Sequence, residues 1–350
     1  MNTFALPPRI ATDSLEPAPL AVWIEEGEGD RAAEVQAVLA GDRSSGTVLG
    51  GSLISALNST TASHVLLVGR GCVPGPLAAR RLGQAVSLVP DAAVITTDED
   101  RIDPEQRRHS PHFRPGPSPD RWLAHDDTGQ MLVVSREAAA RLAGDLSGEP
   151  AWMHELALGL AMDGVGQPSA AHVPMLLSHL ADGGEQTPLS TEATGRVLRR
   201  REPGARVESD RRVRRVRRAH PGEAAVEIVI CLRDRPELLS RCLNSLLDRT
   251  AYDRLSVTLV DNGSTEQETL DLLARVERRP DVTVIRDDRP FNFAALNNLA
   301  ARRSAADVLV FLNNDTEIVD ADWIETLLEE ARRPEVGAVA PLLVYPDGTV

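Results

Sequence analysis

Three apolar runs in the second half of the chain each stop at a cluster of carboxylates and amides. Val226-Glu-Ile-Val-Ile-Cys231 gives way to Leu232-Arg-Asp-Arg235. Val257-Thr-Leu-Val260 gives way to Asp261-Asn-Gly-Ser264, and Val308-Leu-Val-Phe-Leu312 to Asn313-Asn-Asp-Thr-Glu317. A carboxylate can accept hydrogen bonds from a ligand or hold a cation, and an amide side chain can both donate and accept. The same residues also make ordinary local structure. Asp261 can close an Asx-turn into Gly263. Asp234 can cap the helix that opens at Pro236, and Asp315 or Asp320 the helix containing Trp323 to Ala331. Asn297 and Asn298 form a fourth polar cluster, at the start of a helical stretch that ends near Ser304.

The elements that must position these residues are strands alternating with helices. Pro236 suits a first helical turn, where its missing N–H costs nothing. Leu239, Cys242, Leu243, Leu246 and Leu247 then form an apolar stripe. A helix is expected from Glu268 to Val276 and a strand over Val282-Thr-Val-Ile285. Apolar strands that end in polar residues, with helices between them, predict an α/β fold. Its sheet is mostly parallel, with a ligand site along the carboxyl ends of the strands. The alternation also runs upstream. Strands are expected at Leu20–Ile24, Ser63–Gly69, Ala92–Thr96 and Gln130–Ser135, with helices over 32–39, 76–86, 136–143 and 154–162. The acidic stretch 98–103 follows the strand at 92–96, and a loop is expected over the Pro- and Ser-rich 109–119. This divides the chain into an irregular lead-in (1–18), a first α/β domain (19–185), a connector (186–224) and a second α/β segment (225–350).

Composition narrows the classes. Of 350 residues, 42% are hydrophobic, enough for two cores, and only 3% are aromatic, so those cores rest on Leu, Val, Ile and Ala. The net charge of −14 argues against a nucleic-acid partner. Every basic residue counted as Lys or Arg is an arginine, and eleven of them fall between Arg196 and Arg218. That run reads as a solvated linker or edge strand pairing with an acidic protein, against a patch for anionic lipid or a polyanionic glycan. Cys72, Cys231 and Cys242 have no zinc spacing and no disulfide framework, which fits a reducing cytoplasm. No signal peptide and no apolar run of about 20 residues is present, so work at a membrane would be peripheral.

The order strand, Leu232-Arg-Asp-Arg235, helix, strand, Asp261-Asn-Gly-Ser264, Asn313-Asn-Asp315 resembles the nucleotide-sugar half of the family-2 glycosyltransferases, of the rhamnosyltransferase and O-antigen-biosynthesis type. A weaker form of the resemblance lies upstream, in Thr97-Asp-Glu-Asp-Arg-Ile-Asp103, Phe113-Arg-Pro-Gly-Pro-Ser-Pro-Asp-Arg-Trp122 and Glu155-Leu-Ala-Leu-Gly-Leu160. It implies two tandem GT-A-like domains of Rossmann-like build. Two departures mark the first as degenerate. Gly69-Arg-Gly71 stands where that family has its metal-binding DxD, and Met153 where it has a catalytic aspartate. The second domain is expected to be incomplete, with the acceptor half and the general base beyond Val350.

The resemblance implies a glycosyltransferase. It would move a sugar from a nucleotide-diphosphate donor to a glycan or lipid-linked acceptor in cell-surface polysaccharide synthesis, by one inverting displacement. Asp315, with Asn313 as helper, would hold Mg²⁺ or Mn²⁺. Leu232, Arg233, Asp234, Asp261, Asn297, Asn298, Asn313 and Asn314 would line the nucleotide sugar. Cys231 and Leu232 replace the family's usual Pro and Thr. Pro334 to Pro341 and Tyr345-Pro-Asp-Gly348 match the family's next strand and turn. The implied setting is cytoplasmic, at the inner face of the plasma membrane, beside other glycosyltransferases. The alternative is a nucleotide-binding scaffold without turnover, or an inactive fragment. A dehydrogenase-like dinucleotide site is disfavoured, because no G-x-G-x-x-G follows the first strand.

Overall fold

The structure is a computed structural model that describes residues 3–5, 15–25, 35, 45–146, 151–163, 170–182, 190–210, 213–218 and 224–349. It divides into two compact units, Met1–Arg217 and Arg218–Val350. Both are α/β. The helix expected over 32–39 falls outside the described residues, apart from Val35.

The first unit is built on a sheet of β1 (Thr3–Ala5), β2 (Leu20–Ile24), β3 (Ser45–Leu49), β4 (His64–Val68), β5 (Cys72–Pro74), β6 (Val94–Ile102), β7 (Arg108–His112), β8 (Met131–Ser135) and β9 (Ala170–Ala181). The order is β1-β9-β6-β8-β4-β2-β3, with β5 on β9 and β7 on β6. β8 runs antiparallel to both its neighbours, whereas β1–β9, β6–β9, β2–β4 and β2–β3 are parallel. Helices α1 (Leu53–Ser59), α2 (Ala78–Leu88), α3 (Pro119–Ala124), α4 (Arg136–Leu142) and α5 (Trp152–Asp163) cover it. Leu82 and Val86 of α2 pack with Leu66, Ile95 and Val133 on one face. Leu156 and Leu160 of α5 pack with Leu67 and Leu132 on the other.

Three expectations are corrected here. The strand expected at 92–96 continues through Asp98-Glu-Asp100 to Ile102, and part of the expected 109–119 loop is strand β7. Carboxylates can lie in a buried strand because cations from other elements neutralise them, as described below. The stretch read as a connector holds helix α6 (Thr191–Arg201) and the hairpin β10 (Arg206–Asp210) and β11 (Val213–Arg217). Arg214, in the densest arginine run, is buried at 2% exposure. It donates to the carbonyls of Trp122 and Leu123 at 2.8 and 2.9 Å.

The second unit has four strands, β12 (Val226–Leu232), β13 (Leu255–Asp261), β14 (Val282–Arg286) and β15 (Val308–Asn313). They are all parallel, in the order β14-β13-β12-β15. Helices α7 (Pro236–Arg249), α8 (Gln267–Val276) and α10 (Trp323–Ala331) contribute Leu239, Cys242, Leu246, Leu272, Leu273, Ile324 and Leu328 to one face. α9 (Phe293–Ala301) covers part of the other through Leu296 and Ala300, against Val229 and Val260. The expected strand over 334–341 does not form, although a turn does close at Tyr345–Gly348. Gly337 and Pro341 interrupt that stretch, and proline brings no ladder donor.

Candidate functional site

The chain runs β12, β13, β14 outward along the sheet, then returns to place β15 on the other side of β12. Parallel sheets bind ligands in the crevice outside the carboxyl ends of the strands, where the strand order reverses. Here that point lies between the exits of β12 and β15. The ladder registers bring the predicted residues to one level. Leu232 pairs with Asp261, Cys231 with Asn313, and Asp261 with Arg286.

The exit of β12 is tightly shaped. Asp234 and Arg235 both have left-handed backbones, at φ 52° and 58°. Neither is glycine, so each costs on the order of 1–3 kcal/mol. Hydrogen bonds hold the turn. The Asp234 N–H donates to Ser264 Oγ at 2.8 Å, and its Oδ1 accepts the backbone N–H groups of Thr265 and Glu266 at 2.7 and 2.8 Å. Those two amides hold the Asp234 carboxyl below its usual range. Asp234 therefore anchors to the chain entering α8 rather than capping α7. Arg233 beside it is exposed.

Asp261 is buried at 2% exposure. Its Oδ1 accepts the Ser264 N–H at 2.8 Å, closing the Asx-turn that the motif allows, and its Oδ2 meets Arg286 Nη1 at 3.0 Å. Gly263 sits at φ 74°, in the left-handed region that this turn requires. Arg286, half-exposed, also donates Nε to Asp288 at 2.9 Å. Asp287 pairs with Arg289, which holds its carboxyl down to about 2.

The exit of β15 is different. Asn313, Asp315 and Glu317 are exposed. The backbone of this loop is held from within by Thr316 Oγ1, which donates to the Asn313 carbonyl at 2.8 Å, and is pinned to α7 by the Ile318 N–H, which donates to Ser245 Oγ at 3.0 Å. The Asp315 carboxylate and the Asn313 side-chain amide make no hydrogen bond or ion pair with the described residues. No group of three or more His, Cys, Asp or Glu suited to a metal occurs among the described residues. A magnesium-type cation does not require such a group, since it is commonly bound by one or two protein oxygens and completed by phosphates and water. Asp315 and Asn313 fit that donor set.

Asn297 and Asn298 do not lie at a helix start. α9 begins at Phe293, and Asn292 caps it by accepting the Ala295 N–H at 3.0 Å. Asn297 is buried in mid-helix and donates to the Phe293 carbonyl at 2.8 Å, whereas Asn298 is exposed. The true start was marked by Asn292, an amide before an apolar run. Arg286 was also missed. It closes its strand at the carboxyl end, by the same rule that selected Asp261.

The corresponding acids of the first unit are spent internally. Asp98 accepts the Arg114 N–H at 2.9 Å and His172 Nε2 at 3.0 Å. Asp100 pairs with Arg108 at 2.6 Å and with His179 at 2.5 Å, and Glu99 pairs with Arg114 at 2.6 Å. At Gly69, an added Cβ would lie 2.6 Å from Met153 Sδ and 2.6 Å from Gln130 Oε1. The two residues that depart from the family pattern thus pack on one another.

Residues 227–350 match the model described as Glycosyl transferase family 2. The chain is 36% identical over 288 residues to the O-antigen biosynthesis protein RfbC of Myxococcus xanthus, covering 79% of this chain and 22% of that protein. It is 30% identical over 322 residues to the uncharacterized protein y4gI of Sinorhizobium fredii, covering 85% of this chain and 34% of that one. The chain therefore spans about a fifth to a third of these relatives. Among solved structures, the mannosyltransferase PcManGT from Pyrobaculum calidifontis, in complex with GDP-Man and Mn²⁺, is 21% identical. Its TM-score is 0.32, with 35% of this chain and 36% of that one covered. The second unit belongs to glycosyltransferase family 2, and its sheet is all-parallel with helices on both faces.

Proposed function

We propose that the second unit binds a nucleoside-diphosphate sugar with Mg²⁺ or Mn²⁺ and donates the sugar to a glycan or lipid-linked acceptor in surface-polysaccharide synthesis. The observation that carries this is the contrast between the two strand exits at the switch point. Asp234 and Asp261 are locked into the scaffold, and Asp315 and Asn313 are left unengaged beside them. The locked exit of β13 suits the nucleoside, and the open exit of β15 suits the diphosphate through a cation. When bound, the cation would neutralise charge that develops on the departing diphosphate. An inverting transfer forms the bond from the acceptor oxygen to the anomeric carbon as the carbon–phosphate-oxygen bond breaks. The diphosphate keeps the bonding electrons, and the acceptor proton passes to a base.

The wider setting in this proposal is cytoplasmic, at the membrane surface and beside partner glycosyltransferases. It draws on the name of the Myxococcus relative. No helix among the described residues is long and apolar enough to cross a membrane.

The test is calorimetric titration of UDP, dTDP and GDP, with and without Mn²⁺, on the wild-type chain and on Asp315→Ala. Metal-dependent binding of one nucleotide, lost in the variant, is expected. Folded wild type that binds none of the three would remove the donor-site reading. Binding without sugar transfer would favour a nucleotide-binding scaffold.

A further inference from the structure

Asn262 is the member of Asp261-Asn-Gly-Ser264 whose side chain reaches the exit of β14, where it meets backbone carbonyls rather than a charge. It is 3% exposed. Its Nδ2 donates to two backbone carbonyls, Asp287 at 2.7 Å and Arg289 at 2.8 Å. Its own N–H donates to the Leu232 carbonyl at 2.8 Å, and the Asp287 N–H donates to the Asp261 carbonyl at 2.9 Å. One residue therefore joins the exits of β12, β13 and β14. The segment it clamps contains Asp288, the partner of Arg286, and leads to Asn292, the cap of α9. Arg286 in turn holds Asp261 Oδ2.

We propose that Asn262 is a positioning residue of the donor site. By holding the carbonyls of Asp287 and Arg289, it fixes the 287–292 segment and the Asp261–Arg286 pair against which the nucleoside is bound. This rests on the reading that the strand exits of the second unit take a nucleoside diphosphate. The side chain does not touch the ligand and acts through the segment it clamps. A carboxamide is required because two carbonyls need two N–H donors from one group. A carboxylate would instead face both carbonyls with lone pairs.

The experiment uses the full chain and the nucleotide that binds wild type, with Mn²⁺. Asn262→Ala is expected to raise the nucleotide Kd at least fivefold while circular dichroism is retained. Asn262→Asp is expected to raise it more at pH 7.5 and to recover part of the loss at pH 5.5, where a protonated carboxyl regains one donor. Asp261, Asp287, Asp288, Arg286, Arg289 and, across Ser264, Asp234 surround this position. All are present in wild type, which is titrated at both pH values as the reference. A purely structural role would shift the thermal midpoint without this recovery.

Wild type that binds no nucleotide overturns the donor-site reading and this proposal together. Wild-type binding with unchanged constants in both variants overturns the role of Asn262 alone. If the variants do not fold, hydrogen exchange on wild type decides. Added nucleotide must slow the amides of 287–292 together with those of 262–266. Protection of 262–266 alone overturns the proposal.

Discussion

Both units carry acidic clusters on their sheets, within strand β6 in the first and at strand ends in the second, and only the second leaves one of them open. In the first, Asp98, Glu99 and Asp100 all meet cations or N–H groups of their own unit, and Asp98 and Asp100 are nearly inaccessible. In the second, Asp261 and Asp234 are similarly engaged, but Asp315 is exposed and has no hydrogen-bond or ion-pair partner among the described residues. A buried carboxylate is tolerated only when paired, so a paired one is a poor ligand for a cation arriving from outside. An exposed, unpaired carboxylate on a pinned backbone gives up little to bind. Acidic residues that look alike in sequence are thus scaffold in one unit and candidate ligand in the other.

The largest effect should come from breaking the closed cluster. Arg114 has a side chain 5% exposed and serves Glu99, Asp127 and the Thr97 carbonyl. Arg114→Ala removes the cation of part-buried Glu99 and the donor to the Thr97 carbonyl, while Asp127 keeps Arg121 and His112. It should cost about 3–5 kcal/mol, read as a fall in the first denaturation transition in urea, with nucleotide binding by the second unit kept. Asp315→Ala should show the reverse pattern. Nucleotide affinity in Mn²⁺ should fall at least roughly tenfold, or about 1.4 kcal/mol, and stability should stay within about 0.5 kcal/mol of wild type.

Acid should separate the units as well. Burial holds His64 and His172 below their usual 6.5, although Asp98 draws His172 the other way. The unfolded chain takes up these protons and the folded one resists them, so stability falls as pH drops below about 6.5. A second loss follows below 3.8. Burial would raise Asp126 and Asp127, but their hydrogen bonds and nearby cations outweigh it and hold both low. That contribution is present above 3.8 and disappears as pH falls through the lowered values. The second unit has no described histidine, and Asp287 stays ionised to about 2. Peptide-resolved hydrogen exchange at pH 7.5 and 5.5 should show loosening in the first unit only.

The smallest contrast is between two glycines. Gly71 and Gly263 both sit at φ 74°, but an added Cβ meets nothing at 71 and lies 3.2 Å from Asp288 at 263. Either change to alanine should cost about 1–2 kcal/mol of backbone strain. Only Gly263→Ala should also weaken nucleotide binding, measured by the same titration.

Much of the second unit was legible because each apolar run is short, β-branched and bounded by polar residues. Its parallel sheet follows from such runs, and so does the placing of Leu232, Asp261 and Asn313 at the carboxyl ends of strands, whereas the strand order does not. What was not legible depends on partners distant in sequence. Asp98 to Asp100 fall outside the expected strand, which ends at Thr96, because the groups that let them lie in it are Arg108, Arg114, His172 and His179. β9 was missed because Ala170–Ala181 has no clean alternation and contains Pro174. Asn297 and Asn298 were placed at a helix start on the resemblance alone, whereas the residue that makes the cap is Asn292. The arginines of β11 read as solvated because charge alone does not reveal that Arg214 finds two carbonyls inside the first unit.

The contact at Gly69 also limits what the first unit can become. A side chain introduced there would strike Met153 and Gln130, with the Gln130 carbonyl only 3.1 Å away. Any single substitution of Gly69 is therefore overfilled. A carboxylate placed at 69 finds room only if the side chains of Met153 and Gln130 give way as well, so one mutation does not open a cation site here.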